Sequence, residues 1–410
     1  MIQQITPTSK KNISGRFFVA YIVLTLVIYL LPSLKLVVPY ILAAVFMLLF
    51  FPASLLKMHR ELNYHVLILF AAFLSGFLYF ANDIYGLTDM INEMVRWVRF
   101  FLPIIWTVYA LRFCSSRQRR NLLIVFGLVV AFMLFKTLQA LETNGWITRI
   151  LAQDKAKDSA VMRAYRMANI GGFEFSYLMG IVVLCLVWGA FKCQKKIHKI
   201  LCIVGAVVGF YYIIQTMYMT LLILTLLGIL LLLFFNVKKL FPKIFLICGS
   251  IVLAFSIVPL CKYLSQVFVG SLLSDKFLQL YTMLTGGGAD SMGSRPGLIA
   301  DAFERWAHSP IWGGYGFSDA THSLVFSTLE STGLIGLISF GGCLWCGYKR
   351  LSSELNRMAV PTGLLSIVFS YIAGLAVLNP IGFVFEVTIA AFFITPLWST
   401  LLCAGDSAGK

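Results

Sequence analysis

Four arginines, one histidine and one glutamate carry the chemistry this sequence offers. Arg163 and Arg166 lie in one polar stretch, and Arg295 and Arg305 lie in another. A guanidinium stays charged and presents a planar fork that matches phosphate oxygens, so arginines of this kind suit a multiply charged anion better than lysines would. His322 follows in the second stretch. With an ordinary pKa near ~6.5, a histidine can take a proton from a hydroxyl or orient it. Glu330 stands two helical turns beyond His322, inside an apolar run. A carboxylate there costs roughly 2.5–3.5 kcal/mol on insertion scales, so it must face the interior and find a partner. No DxD-like cluster occurs in either stretch, so no metal is expected. The lone Cys343–Cys346 pair has no second pair or histidine beside it and reads as neither metal nor redox site.

Each residue also has a plainer reading. Arg163, Arg166 and Arg295 would serve to anchor loops at lipid headgroups. Arg305 is four residues from Asp301 and would pair with it on one helix face. His308 precedes Ser309-Pro310 and reads as a helix-end residue. His322 would hydrogen-bond a loop carbonyl, and Glu330 would balance an arginine. Trp306, Trp312 and Tyr315 are interfacial anchors by type. Glu386, in the last apolar run, reads as structural.

The elements that must hold these residues follow from composition. The chain has 410 residues, 60% hydrophobic and only 12% charged. Soluble domains carry about a quarter charged residues, so an ordinary soluble enzyme is excluded. A net charge of +16 would elsewhere suggest nucleic acid, but in an apolar chain Lys and Arg report topology. A window of roughly 20 apolar residues gives about twelve transmembrane helices, near 17–34, 36–54, 64–81, 95–111, 121–140, 174–191, 200–217, 219–236, 244–263, 321–346, 361–379 and 382–403. With the N-terminus inside, twenty of the 33 basic residues fall on the cytoplasmic side against three acids, Glu61, Glu354 and Asp406. Both termini are then cytoplasmic. The expected fold is an all-α polytopic membrane protein, a single integral domain over 1–410, with two longer outer-face loops at 141–173 and 264–320. Loops of that length are usually functional. Within the second, Leu298, Ala302, Phe303 and Trp306 recur at helical spacing after Ser294 and Pro296, predicting an amphipathic helix near 294–307. Gly313-Gly314-Tyr315-Gly316 reads as a tight turn.

The run from Ser294-Arg295 through His308-Ser309-Pro310, Gly314-Tyr315-Gly316, His322 and Glu330 to Gly333-Leu334-Ile335-Gly336 resembles the O-antigen ligase and polymerase superfamily. The pattern covers about 45 residues, and the span layout with a large late outer loop extends it. The resemblance implies a GT-C-like membrane glycosyltransferase in the bacterial inner membrane, with its site on the periplasmic face. It implies a glycan donor on undecaprenyl pyrophosphate, a glycan or lipid A-core acceptor, surrounding membrane lipids, a chain-length regulator as a candidate partner, no nucleic acid and no cofactor. Under it His322, Arg295 and Glu330 are the catalytic candidates, and Arg163, Arg166, Arg295 and Arg305 the pyrophosphate ligands. Arg305 to Gly316 fits the arginine, ten residues, glycine spacing of polymerases. Arg163 and Arg166 lack a glycine at that offset, and Tyr218-Met219-Thr220 stands where many relatives have Ser-Arg-Gly. The implied reaction is polymerisation of lipid-linked repeats, with ligation to the lipid A core as the alternative. A twelve-span transporter or flippase is the rival from another class, but no internal repeat is visible and the polar residues cluster in outer loops.

Overall fold

The structure is a computed structural model. It describes residues 9–35, 62–81, 87–145, 147–148, 151, 160–216, 218–237, 249, 256–270, 272–285, 295–314, 323–378 and 385–407. Among these no strand occurs. The helices are α1 (Ser9–Leu30), α2 (Pro32–Lys35), α3 (Leu62–Ala81), α4 (Leu87–Phe113), α5 (Ser116–Thr143), α6 (Ala160–Met167), α7 (Phe173–Lys192), α8 (Lys196–Thr216), α9 (Met219–Asn236), α10 (Leu272–Leu284), α11 (Arg295–His308), α12 (Leu324–Arg357) and α13 (Gly363–Leu378). A last helix, α14, runs Phe385–Thr388, passes through a π-helical stretch Ile389–Ile394 and continues Thr395–Ser407. Residues 256–267 are also helical.

Six of these helices contain stretches long and apolar enough to cross a membrane: Glu93–Phe113, Ser116–Thr143, Phe173–Lys192, Lys196–Thr216, Leu324–Arg357 and Phe385–Cys403. Shorter apolar helical stretches occur at Phe18–Leu30, Val66–Leu78, Thr220–Asn236 and Gly363–Leu378. The chain is thus a helical membrane protein. The expected span at 36–54 lies outside the described residues, as does most of the one at 244–263.

The centre of the bundle is aromatic. Trp97, Phe100 and Phe101 of α4 meet Phe340 of α12 with ring centroids 5.2–5.8 Å apart, and Trp106 stands edge-on to Phe385 and Phe393 of α14. The buried Thr107 hydroxyl of α4 donates to the Phe392 carbonyl, within the π-helical turn of α14, at 2.5 Å. α7 packs between α8, α9 and α14. Gly209 of α8 and Gly189 of α7 lie where a Cβ would strike Val183 and the Cys202 sulfur, so small residues set the approach of the two helices.

Segments that the charge pattern assigns to one side do meet. Asn169, in the left-handed region at φ 57°, accepts from the Ser33 amide (3.1 Å) and hydroxyl (2.7 Å) at α2. Tyr218 donates to the Thr148 carbonyl at 2.7 Å, and Thr137 accepts from the Gly171 amide at 2.8 Å. The first long loop is therefore tied to the ends of α1, α5 and α9. At the opposite end of α5, Arg112 pairs with Glu354 at 2.5 Å.

Cys114 sits in the turn between α4 and α5, where burial pushes its thiol up to about 12. Only the thiolate attacks a maleimide. In a chain whose only cysteine is Cys114, labelling in detergent is expected to be at least about a hundredfold slower at pH 7.5 than in one retaining only the half-buried Cys193. The Cys114 rate should still climb about tenfold per pH unit up to pH 10. Cys343 and Cys346 are respectively buried and exposed on α12.

Candidate functional site

The site is built on a broken helix. α12 is continuous except at Gly333, whose φ of 64° and ψ of −162° are not helical. The segment after the break, 334–357, spans about 36 Å by itself, more than the ~30 Å apolar thickness of a bilayer. The segment before it, 324–332, is a short half-helix set at a different angle. Leu324 and Phe340, about 24 Å apart on a straight helix, line one apolar cavity together with Phe100, Ile372, Leu375 and Val387. The span expected over 321–346 falls largely within this helix, which starts at Leu324, is broken at Gly333 and runs on past the apolar stretch to Arg357.

A helix break leaves amides without carbonyl partners, and the turn after α11 supplies them. The Leu334 amide donates to Pro310 O at 2.9 Å, and Ile335 to Ile311 O at 3.3 Å. In the other direction Gly314 donates to Glu330 O at 3.0 Å. Two glycines make the crossing. Gly313 (φ 72°) lies where a Cβ would be 2.5 Å from the Ser331 carbonyl carbon, and at Gly333 it would run into the Ile311 carbonyl. The fit is backbone on backbone, which no side chain leaves room for.

Above this crossing lies the amphipathic helix expected from the second loop. It runs Arg295–His308, within a residue of the expected bounds, and packs against α12. Ala302 faces inward, while Asp301 is exposed. His308 is the last helical residue, as its Ser-Pro context implied. Trp306 donates from its indole to Pro310 O at 3.0 Å, which holds the turn below it.

Arg305 and Glu330 are brought together. The Arg305 Nε donates to Glu330 Oε1 at 2.6 Å, and a terminal guanidinium nitrogen lies 2.6 Å from the same oxygen. Glu330 is fully buried. Arg305 therefore pairs with Glu330 and not with Asp301, four residues away. The exposed Asp301 is well served by water, whereas a buried carboxylate is costly without a cation. Glu330 Oε2 is buried and has no hydrogen-bond partner among the described residues. One carboxylate oxygen thus anchors the loop helix, and the second is left to accept another donor. Around it Ser327, Thr328, Ser331 and Thr332 form a buried polar band, with Thr328, Ser331 and Thr332 bonded back to carbonyls a turn earlier at 2.7–2.8 Å.

The other candidates have separate supports. Arg163, exposed, and Arg166, half-buried, share a face of α6, which packs on α2. Arg295 is the first residue of α11. His322 lies outside the described residues, one position before the Ser323 N-cap of α12, as do Ser294, Tyr315 and Gly316. On α4, Arg96 pairs with Glu93 at 3.1 Å, and the Arg99 guanidinium lies 5.9 Å from the Phe385 ring centroid. Glu386 is buried at the start of α14. Gly313 and Gly333 were named in the sequence only as part of a turn and of the resembling run, and their role in the backbone crossing was not foreseen. The signal for Gly333 was its place directly after the polar run Ser327–Thr332 within an otherwise apolar segment.

No family model and no curated protein matches this chain.

Proposed function

We propose that the chain is a membrane glycosyltransferase that polymerises undecaprenyl-pyrophosphate-linked oligosaccharide repeats into O-antigen or capsular polysaccharide at the outer face of the bacterial inner membrane. The proposal includes the twelve-span GT-C-like layout and the cytoplasmic termini. The observation that supports it is the Arg305–Glu330 pair, which docks the loop helix, begun by Arg295, on the α12 break. The transporter reading has less support, because among the described residues the broken helix is engaged by the turn after α11 and not by a matching broken helix.

In this account the donor's anomeric carbon loses its bond to the pyrophosphate oxygen as the acceptor hydroxyl oxygen bonds to it. The proton of that hydroxyl passes to His322, and undecaprenyl pyrophosphate leaves as an anion. A pyrophosphate is already a weak base, so the step needs charge stabilisation more than a general acid. Arg163, Arg166 and Arg295 supply it. Arg305, committed to Glu330, positions the helix that carries Arg295. Glu330, enclosed beneath the loop helix, acts through Arg305 by holding that helix in place.

Arg295→Ala and His322→Ala are each expected to abolish chain elongation while the protein inserts normally. A gel of surface polysaccharide should show a single repeat on the lipid core in place of a ladder. Near-normal ladders in both variants would overturn the mechanism. Bare core with accumulated long lipid-linked polymer would instead mark a ligase.

A further inference from the structure

Where α4 meets α12, basic side chains are answered by an acid. Arg112, Arg350 and Arg357 form an arginine corner around Glu354, at 2.5, 3.5 and 2.5 Å. The turn between α7 and α8 is different. Lys192, Lys195, Lys196 and Lys199 are four lysines within eight residues, and all are exposed. Among the described residues none of them pairs with a carboxylate. The sequence holds no acid between Glu174 and Asp275. Lys192 sits 4.8 Å from the Trp188 ring centroid, which fixes it at the end of α7 without neutralising it. Four cations this close repel one another, and an anion relieves the repulsion.

The same face of α8 is apolar beyond the lysines. Ile200, Ile203 and Val207 follow Lys196 at i+4, i+7 and i+11, so the four residues lie in one row. The three apolar residues are 45–63% exposed, and Lys196 is exposed above them. Lys199 stands one turn before Ile203, at the edge of the row. The packed face is another one, carrying Cys202, Ala206 and Gly209. Charge and stripe are therefore open on the same side of the helix, and α8 is the least buried of the six spanning stretches. An occupant that satisfies both brings an anion to the lysines and a hydrocarbon chain down the row. A free anion leaves the stripe bare, and a zwitterionic lipid leaves the lysine charge unbalanced. Basic clusters beside a spanning helix hold anionic headgroups, at about fivefold in affinity per residue.

We infer that the α7–α8 turn and the Lys196 face of α8 together bind an anionic phospholipid. Its phosphate lies at Lys195, Lys196 and Lys199, and an acyl chain lies along Ile200, Ile203 and Val207. Bound lipid offsets the charge of the turn and covers the open side of α8. The surface is independent of the glycosyl-transfer proposal.

The full chain purified in detergent is titrated with dioleoyl phosphatidylglycerol, with dioleoyl phosphatidylcholine and with inorganic phosphate. Adducts are counted by native mass spectrometry alongside the unfolding temperature. Phosphatidylglycerol should bind and raise the unfolding temperature, and phosphatidylcholine and phosphate should not. The triple variant Lys195→Gln, Lys196→Gln, Lys199→Gln should lose at least about tenfold in phosphatidylglycerol affinity. The double variant Ile203→Gln, Val207→Gln keeps every lysine and should lose about threefold through the stripe. Lys262→Gln, an exposed lysine on a separate helix, should lose nothing. A reading on the wild-type chain needs no variant to fold: its phosphatidylglycerol affinity should fall about tenfold between about 0.05 and about 0.5 M salt, because exposed charges are screened. Equal binding of the two lipids, equal stabilisation by phosphate, salt-independent affinity, an equal loss in Lys262→Gln, or unchanged binding in either multiple variant would overturn the assignment.

Discussion

Arg305→Ala is expected to destabilise the protein by about 3 kcal/mol and to stop polymer elongation, whereas Glu330→Gln costs only about 1 kcal/mol. The asymmetry follows from burial. Removing Arg305 strands a carboxylate that is fully enclosed, while Arg305 itself keeps 34% of its side chain exposed and can hydrate when its partner is neutral. Breaking a buried pair from the exposed side is therefore the costly direction. The lower end of the usual range is taken because Arg305 is only partly buried. The double variant Arg305→Ala, Glu330→Gln should recover most of the lost stability, since no buried charge remains. Thermal unfolding in detergent measures the cycle. If Arg305→Ala and Glu330→Gln cost the same, the pair is not the anchor of the loop helix. The functional arm separates positioning from packing: the double variant should regain its fold without regaining elongation, because α11 is no longer held over the break.

Gly333→Ala should be nearly as damaging, at about 3 kcal/mol. Its backbone lies in a region essentially reserved for glycine, which by itself costs an alanine on the order of 1–3 kcal/mol. The added methyl also meets the Ile311 carbonyl, part of the segment that satisfies the amides after the break. Either the crossing opens and those amides lose their acceptors, or α12 straightens and the half-helix moves off the cavity. Gly341→Ala and Gly342→Ala are the controls. Both sit in the same helix with nothing near the built Cβ, so each should be neutral or stabilising by about 0.5 kcal/mol. A Gly333→Ala protein as stable as these controls would contradict the break.

What could be read in advance depended on whether the determinant was local. The loop helix was legible because Pro296, the apolar spacing and His308-Ser309-Pro310 are all local signals, and it runs Arg295–His308. Most described helices coincide with apolar runs for the same reason. Hydropathy, however, counts length and not backbone angle. It placed one span over 321–346, which the helix covers from Leu324, but carried no sign of the non-helical backbone at Gly333. The choice between Asp301 and Glu330 for Arg305 was equally hidden. Spacing favours Asp301, but burial decides for Glu330, and burial exists only once α11 is docked. Glu354 stood in the sequence as a stray acid among basic residues, yet it is the centre of the arginine corner because three distant segments converge there. Arg112 and Glu354, which the charge pattern placed on one side, meet.

The most direct test of the central claim is in-vitro elongation by the purified chain of a synthetic undecaprenyl-pyrophosphate-linked repeat, with and without a chelator. The account predicts a ladder of lipid-linked polymers in both, with release of undecaprenyl pyrophosphate, and none from the His322→Ala protein. A folded wild-type chain that leaves the repeat unchanged, or a ladder that the chelator abolishes, would contradict it.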